Sequence, residues 1–169
     1  MPASLRVLLT DRAWPDFELE REILGEIGAE VVEAPDSAEE TLAGLAADVD
    51  GIGTCWAQVT AAVIAAAPRC RVIGRFGIGL DNIDVEEATR RSIPVTYVPD
   101  YCVPEVTEHT LALVFAAARK VAFFHAATKA GDYQLQAGLP LRRLAGQVLG
   151  LVGLGRIGKQ MARKLSAFG

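Results

Sequence analysis

The sequence predicts an α/β protein: a small doubly wound unit built on a parallel sheet, followed by the beginning of a second α/β unit. Three observations lead there. Short apolar runs of strand length alternate with helical stretches up to about residue 100, with no hairpin signal between them. An alanine-rich apolar stretch without a helix breaker then runs from Pro104 to about Ala127. Finally, the apolar run Val148 to Val152 passes straight into Gly153-Leu154-Gly155-Arg156-Ile157-Gly158.

Each element follows from local pattern. Leu5 to Thr10 is a strand-length apolar run ending at polar Asp11, and Asp16 to Ile27 carries Phe17, Ile23, Leu24 and Ile27 as a helix. Val31 to Ala34 is a second strand closed by Pro35, and Glu39 to Ala47 is a helix rich in Ala and Leu. Gly51 to Cys55 is a third strand, after which Thr60 caps a short helix through Ala66 that Pro68 stops. Arg71 to Phe76 is a fourth strand, followed by a glycine-rich turn, a helix near Val85–Arg91 and the strand Ile93 to Val98. Pro94 falls at that strand's beginning, where a missing N–H is tolerated. The stretch from Pro104 to Ala127 is long enough for a connecting helix of about 35 Å. Val148 to Val152 opens a further strand, and Ile157, Met161, Ala162 and Leu165 mark one face of a helix beyond the glycine turn.

Composition narrows the function classes. The 169 residues are 51% hydrophobic and 22% charged, enough to bury a real core. The net charge is −4, and the basic residues are scattered or in short pairs, so no nucleic-acid face is expected. The start lacks the apolar segment of a signal peptide, and charged residues or His interrupt every apolar run before spanning length, so neither export nor a membrane span is expected. Cys55, Cys70 and Cys102 are odd in number and lack metal-ligand spacing, which fits reduced thiols in a cytoplasmic protein with no structural metal.

The glycine turn after Val152 carries the sharpest chemistry. Gly153 permits the tight turn, Gly155 lets the backbone approach a pyrophosphate, and Gly158 allows close packing of the helix. Unpaired N–H groups and the helix dipole favour an anion at that helix start. A structural turn has the same composition, but the preceding strand and following helix supply the context that dinucleotide binding requires. A second candidate is Gly77-Ile78-Gly79-Leu80-Asp81-Asn82-Ile83-Asp84, after the fourth strand. Its N–H groups suit an anionic substrate at a strand's carboxyl end. Asp81 and Asn82 equally suit a plain turn, and Asp84 with Glu87 resembles a capping box. His109 and His125 lie in the helical stretch without partners at ligand spacing, which fits packing or surface contacts.

Three blocks, Arg75 to Asp84, Val98 to His109 and Gly153 to Gly158, stand in the order and spacing of a known family. The chain resembles the amino-terminal half of the D-isomer-specific 2-hydroxyacid dehydrogenases, within them the C-terminal-binding-protein-like branch. The resemblance implies a flavodoxin-like substrate domain over residues 1–100. Residues 101–169 would be a crossover helix and the first βα unit of a truncated Rossmann domain. It implies that Ile78 and Gly79 hold the substrate carboxylate and that Tyr101 lines the pocket. Cys55 and Trp56 fall where relatives place an arginine before an aromatic, which implies a pocket with one cation fewer. Gly153, Gly155, Arg156, Ile157 and Gly158 match the pyrophosphate loop of an NAD or NADP cofactor, and Thr107 a position near the nicotinamide.

The family's arginine, glutamate and histidine map onto no residue of this chain, so no catalytic residue is assigned and the chain alone is expected to be inactive. The expected activity of the intact family is reduction of a 2-oxo acid to a D-2-hydroxy acid. The expected partners are a small 2-hydroxy or 2-oxo acid and a second copy, paired through the 104–127 region. Two other readings stay open: a non-catalytic NAD(H)-sensing scaffold of the corepressor kind, and a fragment that needs a partner to cover its apolar faces.

Overall fold

In the computed structural model, which describes residues 4–169, the chain divides into two compact units that meet between Tyr101 and Cys102. The first holds five strands, β1 (Leu5–Leu9), β2 (Ala29–Glu33), β3 (Gly51–Thr54), β4 (Ile73–Arg75) and β5 (Val95–Thr96), with helices α1 (Glu18–Gly25), α2 (Glu39–Ala46), α3 (Ala61–Ala65) and α4 (Val85–Arg90) between them. The strands form one sheet in the order β2-β1-β3-β4-β5, every pairing parallel. This is the doubly wound α/β architecture expected from the alternation of strands and helices.

Side-chain alternation splits the strands' apolar residues between the two faces. Leu8, Ile52 and Ile73 pack with Leu42, Val59, Val63, Ile64 and Ile83 in the larger core. Leu9, Phe17 and Val31 form a smaller cluster with Val7, Leu24 and Phe76. Full burial of each such aliphatic side chain contributes roughly 1.5–3 kcal/mol. Thr60 Oγ1 accepts the Val63 N–H at 3.4 Å and caps α3 as expected. Asp84 Oδ1 accepts the Glu87 N–H at 2.8 Å and caps α4, but the return half of the capping box is missing. The Glu87 carboxylate pairs instead with Arg90 and Arg91.

The second unit holds α5 (Val103–Ala118), α6 (Val121–Lys129) and α7 (Arg156–Leu165). It corrects two expectations. The stretch from Pro104 to Ala127 is two helices bent by 64°, not one. Lys120 sits in the left-handed region at φ 53°, and its N–H reverts to the Ala117 carbonyl, three residues back. No glycine announces this break. Beyond it, the Phe124 ring lies directly on Gly138, a contact that any Cβ there would obstruct.

The second correction concerns Val148 to Val152, which forms no β ladder; Val148 and Val152 are fully exposed. A strand's N–H and C=O groups need a neighbouring strand, and the described residues of this unit contain none. Apolarity and length marked the segment as a strand, but pairing decides whether one forms. Among the described residues, no single helix is long and apolar enough to cross a membrane.

Candidate functional site

One group of polar side chains of the first unit lies at the carboxyl ends of β1, β3 and β4. Thr10 and Asp11 follow β1, and Thr54 to Ala57 leave β3. The Asp11 carboxylate accepts the Cys55 N–H at 2.8 Å, the Trp56 N–H at 2.6 Å and the Thr10 hydroxyl at 2.8 Å. Partial burial opposes its charge. The Cys55 and Trp56 N–H groups, the Thr10 hydroxyl and the Ala57 N–H outweigh that effect and hold the carboxyl below its usual range.

Next to this loop, Trp56, Gln58, Arg75, Gly79, Asp81 and Asn82 line a cavity of about 170 Å³. Trp56 is 62% exposed at its edge. Arg75, the last residue of β4, donates its Nε–H to Asn82 Oδ1 at 3.0 Å. Asn82 Nδ2 donates to the Ala57 carbonyl at 2.8 Å. The Arg75 guanidinium folds over Gly77, where a Cβ would come within 2.5 Å of Nη1. A guanidinium beside an indole and a glycine-rich loop suits a small planar carboxylate.

Of the residues singled out for substrate, Gly79 and Trp56 line this cavity, whereas Ile78 is half-buried and Cys55 is 3% exposed and does not line it. Burial and the nearby Asp11 charge push the Cys55 thiol up, with Arg75 acting in the other direction. Arg75 is the cationic residue that lines the cavity. Tyr101 is 60% exposed at the end of the first unit. Arg75 was read as part of a strand and as the start of the Arg75–Asp84 block, and Asp11 only as a strand's end, neither as a site residue. A polar residue at the carboxyl end of an apolar strand was the available signal for both.

In the second unit the three glycines of the turn differ in circumstance. Gly153 has φ +92°, Gly155 caps α7 with open space around its Cα, and a Cβ on Gly158 would strike the Gly153 carbonyl. Arg156 begins α7 and Ile157 is half-buried. Thr107 is fully buried where α5 meets α7. Its Oγ1 lies 2.7 Å from the Val103 carbonyl and 2.7 Å from the Gln160 side-chain amide. Glu108 pairs with Lys164 at 3.0 Å, and both histidines are exposed. Thr107 and Glu108 thus tie α5 to α7.

The chain matches the family model of the D-isomer specific 2-hydroxyacid dehydrogenase, catalytic domain, over residues 7–168. It is 39% identical over 169 residues to the D-3-phosphoglycerate dehydrogenase of Methanocaldococcus jannaschii, covering 98% of this chain and 31% of that protein. The chain therefore spans about a third of the length of that curated relative. Among solved structures it resembles the NADPH-dependent glyoxylate/hydroxypyruvate reductase of Sinorhizobium meliloti in complex with NADP and malonate. That likeness has 31% identity and a TM-score of 0.75, over 99% of this chain and 51% of the other. It also resembles the D-lactate dehydrogenase of Aquifex aeolicus complexed with NAD and lactic acid. Here identity is 25% and the TM-score 0.83, over 96% of this chain and 49% of the other.

Proposed function

The chain belongs to the D-isomer-specific 2-hydroxyacid dehydrogenase family, and from that membership we propose that it supplies two parts of an NAD(P)-linked dehydrogenase. One is a 2-oxo acid site at the carboxyl ends of β1, β3 and β4. The other is a dinucleotide-phosphate loop at the start of α7. The observation that carries this reading is the glycine loop. Positive φ at Gly153, open space at Gly155 and backbone contact at Gly158 form a cradle that side chains would fill.

The residues present fit a nicotinamide dinucleotide. Gly153, Gly155, Arg156, Ile157 and Gly158 would hold its pyrophosphate, with Thr107 supporting the loop's helix through α5. When bound, the nicotinamide accepts or donates a hydride at the substrate's C2. The chain's own contribution at the acid site is binding and orientation. The Arg75 guanidinium attracts a carboxylate, the Gly79 N–H adds to it, and Trp56 limits the room around it. The described residues place no histidine at this cavity: His109 lies on α5 and His125 on α6. The proton needed for a forming alkoxide therefore has no donor of that kind here.

The reading predicts binding without turnover. By calorimetry the chain binds NADH, and Gly158→Ala abolishes that binding. With glyoxylate or hydroxypyruvate, NADH stays unoxidised. Equal NADH binding by the Gly158→Ala chain would remove the loop from the account, and clear oxidation of NADH would remove the claim of inactivity. The exposed apolar side chains Leu113, Val121 and Phe123 on α5 and α6 support pairing of two copies through the 104–127 region.

A further inference from the structure

The side chains of Asp11 and Asn82 hold the β3–α3 loop that carries Trp56. The Asp11 carboxylate accepts the successive N–H groups of Cys55 and Trp56, at 2.8 and 2.6 Å, and its Oδ1 lies 3.3 Å from the hydroxyl of Thr54, which donates to the Ala57 carbonyl at 2.9 Å. Contacts continue from Ala57. Its carbonyl accepts Asn82 Nδ2–H at 2.8 Å, and Asn82 Oδ1 accepts the Arg75 Nε–H at 3.0 Å. Each link allows one polarity. Arginine only donates and a backbone carbonyl only accepts, so the Asn82 amide fits one way round. An ionised carboxylate only accepts, so it satisfies the two neighbouring N–H groups of Cys55 and Trp56 without presenting a hydrogen to either.

We propose that Asp11 is a positioning residue of the acid-binding cavity: through the Ala57 peptide and Asn82 it sets the orientation of the Arg75 guanidinium and of Trp56, without lining the cavity itself. This rests on the reading of that cavity as the 2-oxo acid site. The neighbouring strand crossing supports it. The Val59 N–H reaches the Asn82 carbonyl at 2.8 Å and the Asp84 N–H reaches the Val59 carbonyl at 3.0 Å, so the two loops move as one piece. A carboxylate close to an anion site would repel the ligand if it faced it. Here its charge is turned toward the backbone N–H groups of Cys55 and Trp56.

The test follows a nucleus that Asp11 does not touch. In proton–nitrogen spectra of the full chain, the Arg75 Nε–H should give a slowly exchanging signal. Asp11→Asn places an amide hydrogen against the loop's N–H groups. It should speed that exchange about tenfold and weaken glyoxylate binding about tenfold, while circular dichroism stays unchanged. Asp11→Glu keeps the charge but moves the carboxylate by one carbon, and should shift both in the same direction. It also decides the matter if the asparagine variant does not fold. Asn82→Ala cuts the relay from the other side and should match Asp11→Asn at Arg75. If both Asp11 variants lower the melting temperature but leave Arg75 Nε–H exchange as it was, Asp11 only stabilises the loop and the proposal is overturned. If glyoxylate fails to move the Arg75 signal in the unaltered chain, the acid-site reading falls. The exchange data still decide whether Asp11 sets Arg75.

Discussion

Arg75 donates its Nε–H to Asn82 and is the cationic residue of the cavity's lining, so its charge sets the affinity for an acid. Arg75→Gln should weaken glyoxylate binding at least ~10-fold, as expected for loss of a charge-assisted pair. Urea stability should change by under about 1 kcal/mol, because Arg75 is only half-buried. Unchanged affinity in a calorimetric titration would move the acid elsewhere. Asp11 gives a second residue-scale expectation. Its carboxyl titrates below the usual range in the folded chain, so the stability it contributes is present above the unfolded value and lost as pH falls through the folded one. The urea midpoint should therefore drop on acidification below about pH 4, and Asp11→Asn should flatten that drop. An identical slope in the variant would show that other carboxylates, such as Glu87 or Asp50, carry it. At this scale the sequence was legible where a residue acts on its own backbone. The glycines of the 153–158 turn and the caps Thr60 and Asp84 depend on neighbours within a few positions. Asp11 acts on residues more than forty positions away, and Cys55, at a strand's end, is 3% exposed and does not line the cavity, because burial and not position decides that.

Among the elements, the parallel sheet was legible because its strands are short, mostly apolar runs separated by helices. Leu8 on β1 is fully buried in the larger core, so Leu8→Ala should cost about 2–5 kcal/mol by urea denaturation. A loss below ~1 kcal/mol would contradict that packing. The break between α5 and α6 was not legible, since nothing from Leu113 to Ala127 disfavours a helix. It is decided by what α6 packs on, with Phe124 against Gly138. Lys120 has φ 53°, a conformation that costs a side-chain-bearing residue about 1 kcal/mol. Lys120→Gly should therefore stabilise the chain by up to ~1 kcal/mol. A continuous helix would give the opposite sign, a loss of about 1 kcal/mol for glycine inside it. Val148 to Val152 makes the complementary point: its pattern is that of a strand, yet a strand is a property of a pair.

For the whole molecule, two compact units each carry one part of the proposed function, and the chain spans about a third of the curated relative it resembles. Their apolar surfaces differ. On the first unit, Ile23 and Ile27 of the α1 region are more than half exposed beside an open apolar groove of the sheet; on the second, Leu113, Val121 and Phe123 are about half exposed. If two copies pair through α5 and α6, light scattering should report a dimer, and Phe123→Glu should shift it to monomer. A monomer at all concentrations would leave pairing without support. A glyoxylate titration followed at the backbone amides of the full chain is the sharpest check on a 2-oxo acid site at the carboxyl ends of β1, β3 and β4. Saturable shifts confined to Cys55–Gln58 and Arg75–Asn82, and lost in Arg75→Gln, are expected. Saturable shifts that cluster elsewhere, or none at these residues, would rule that site out.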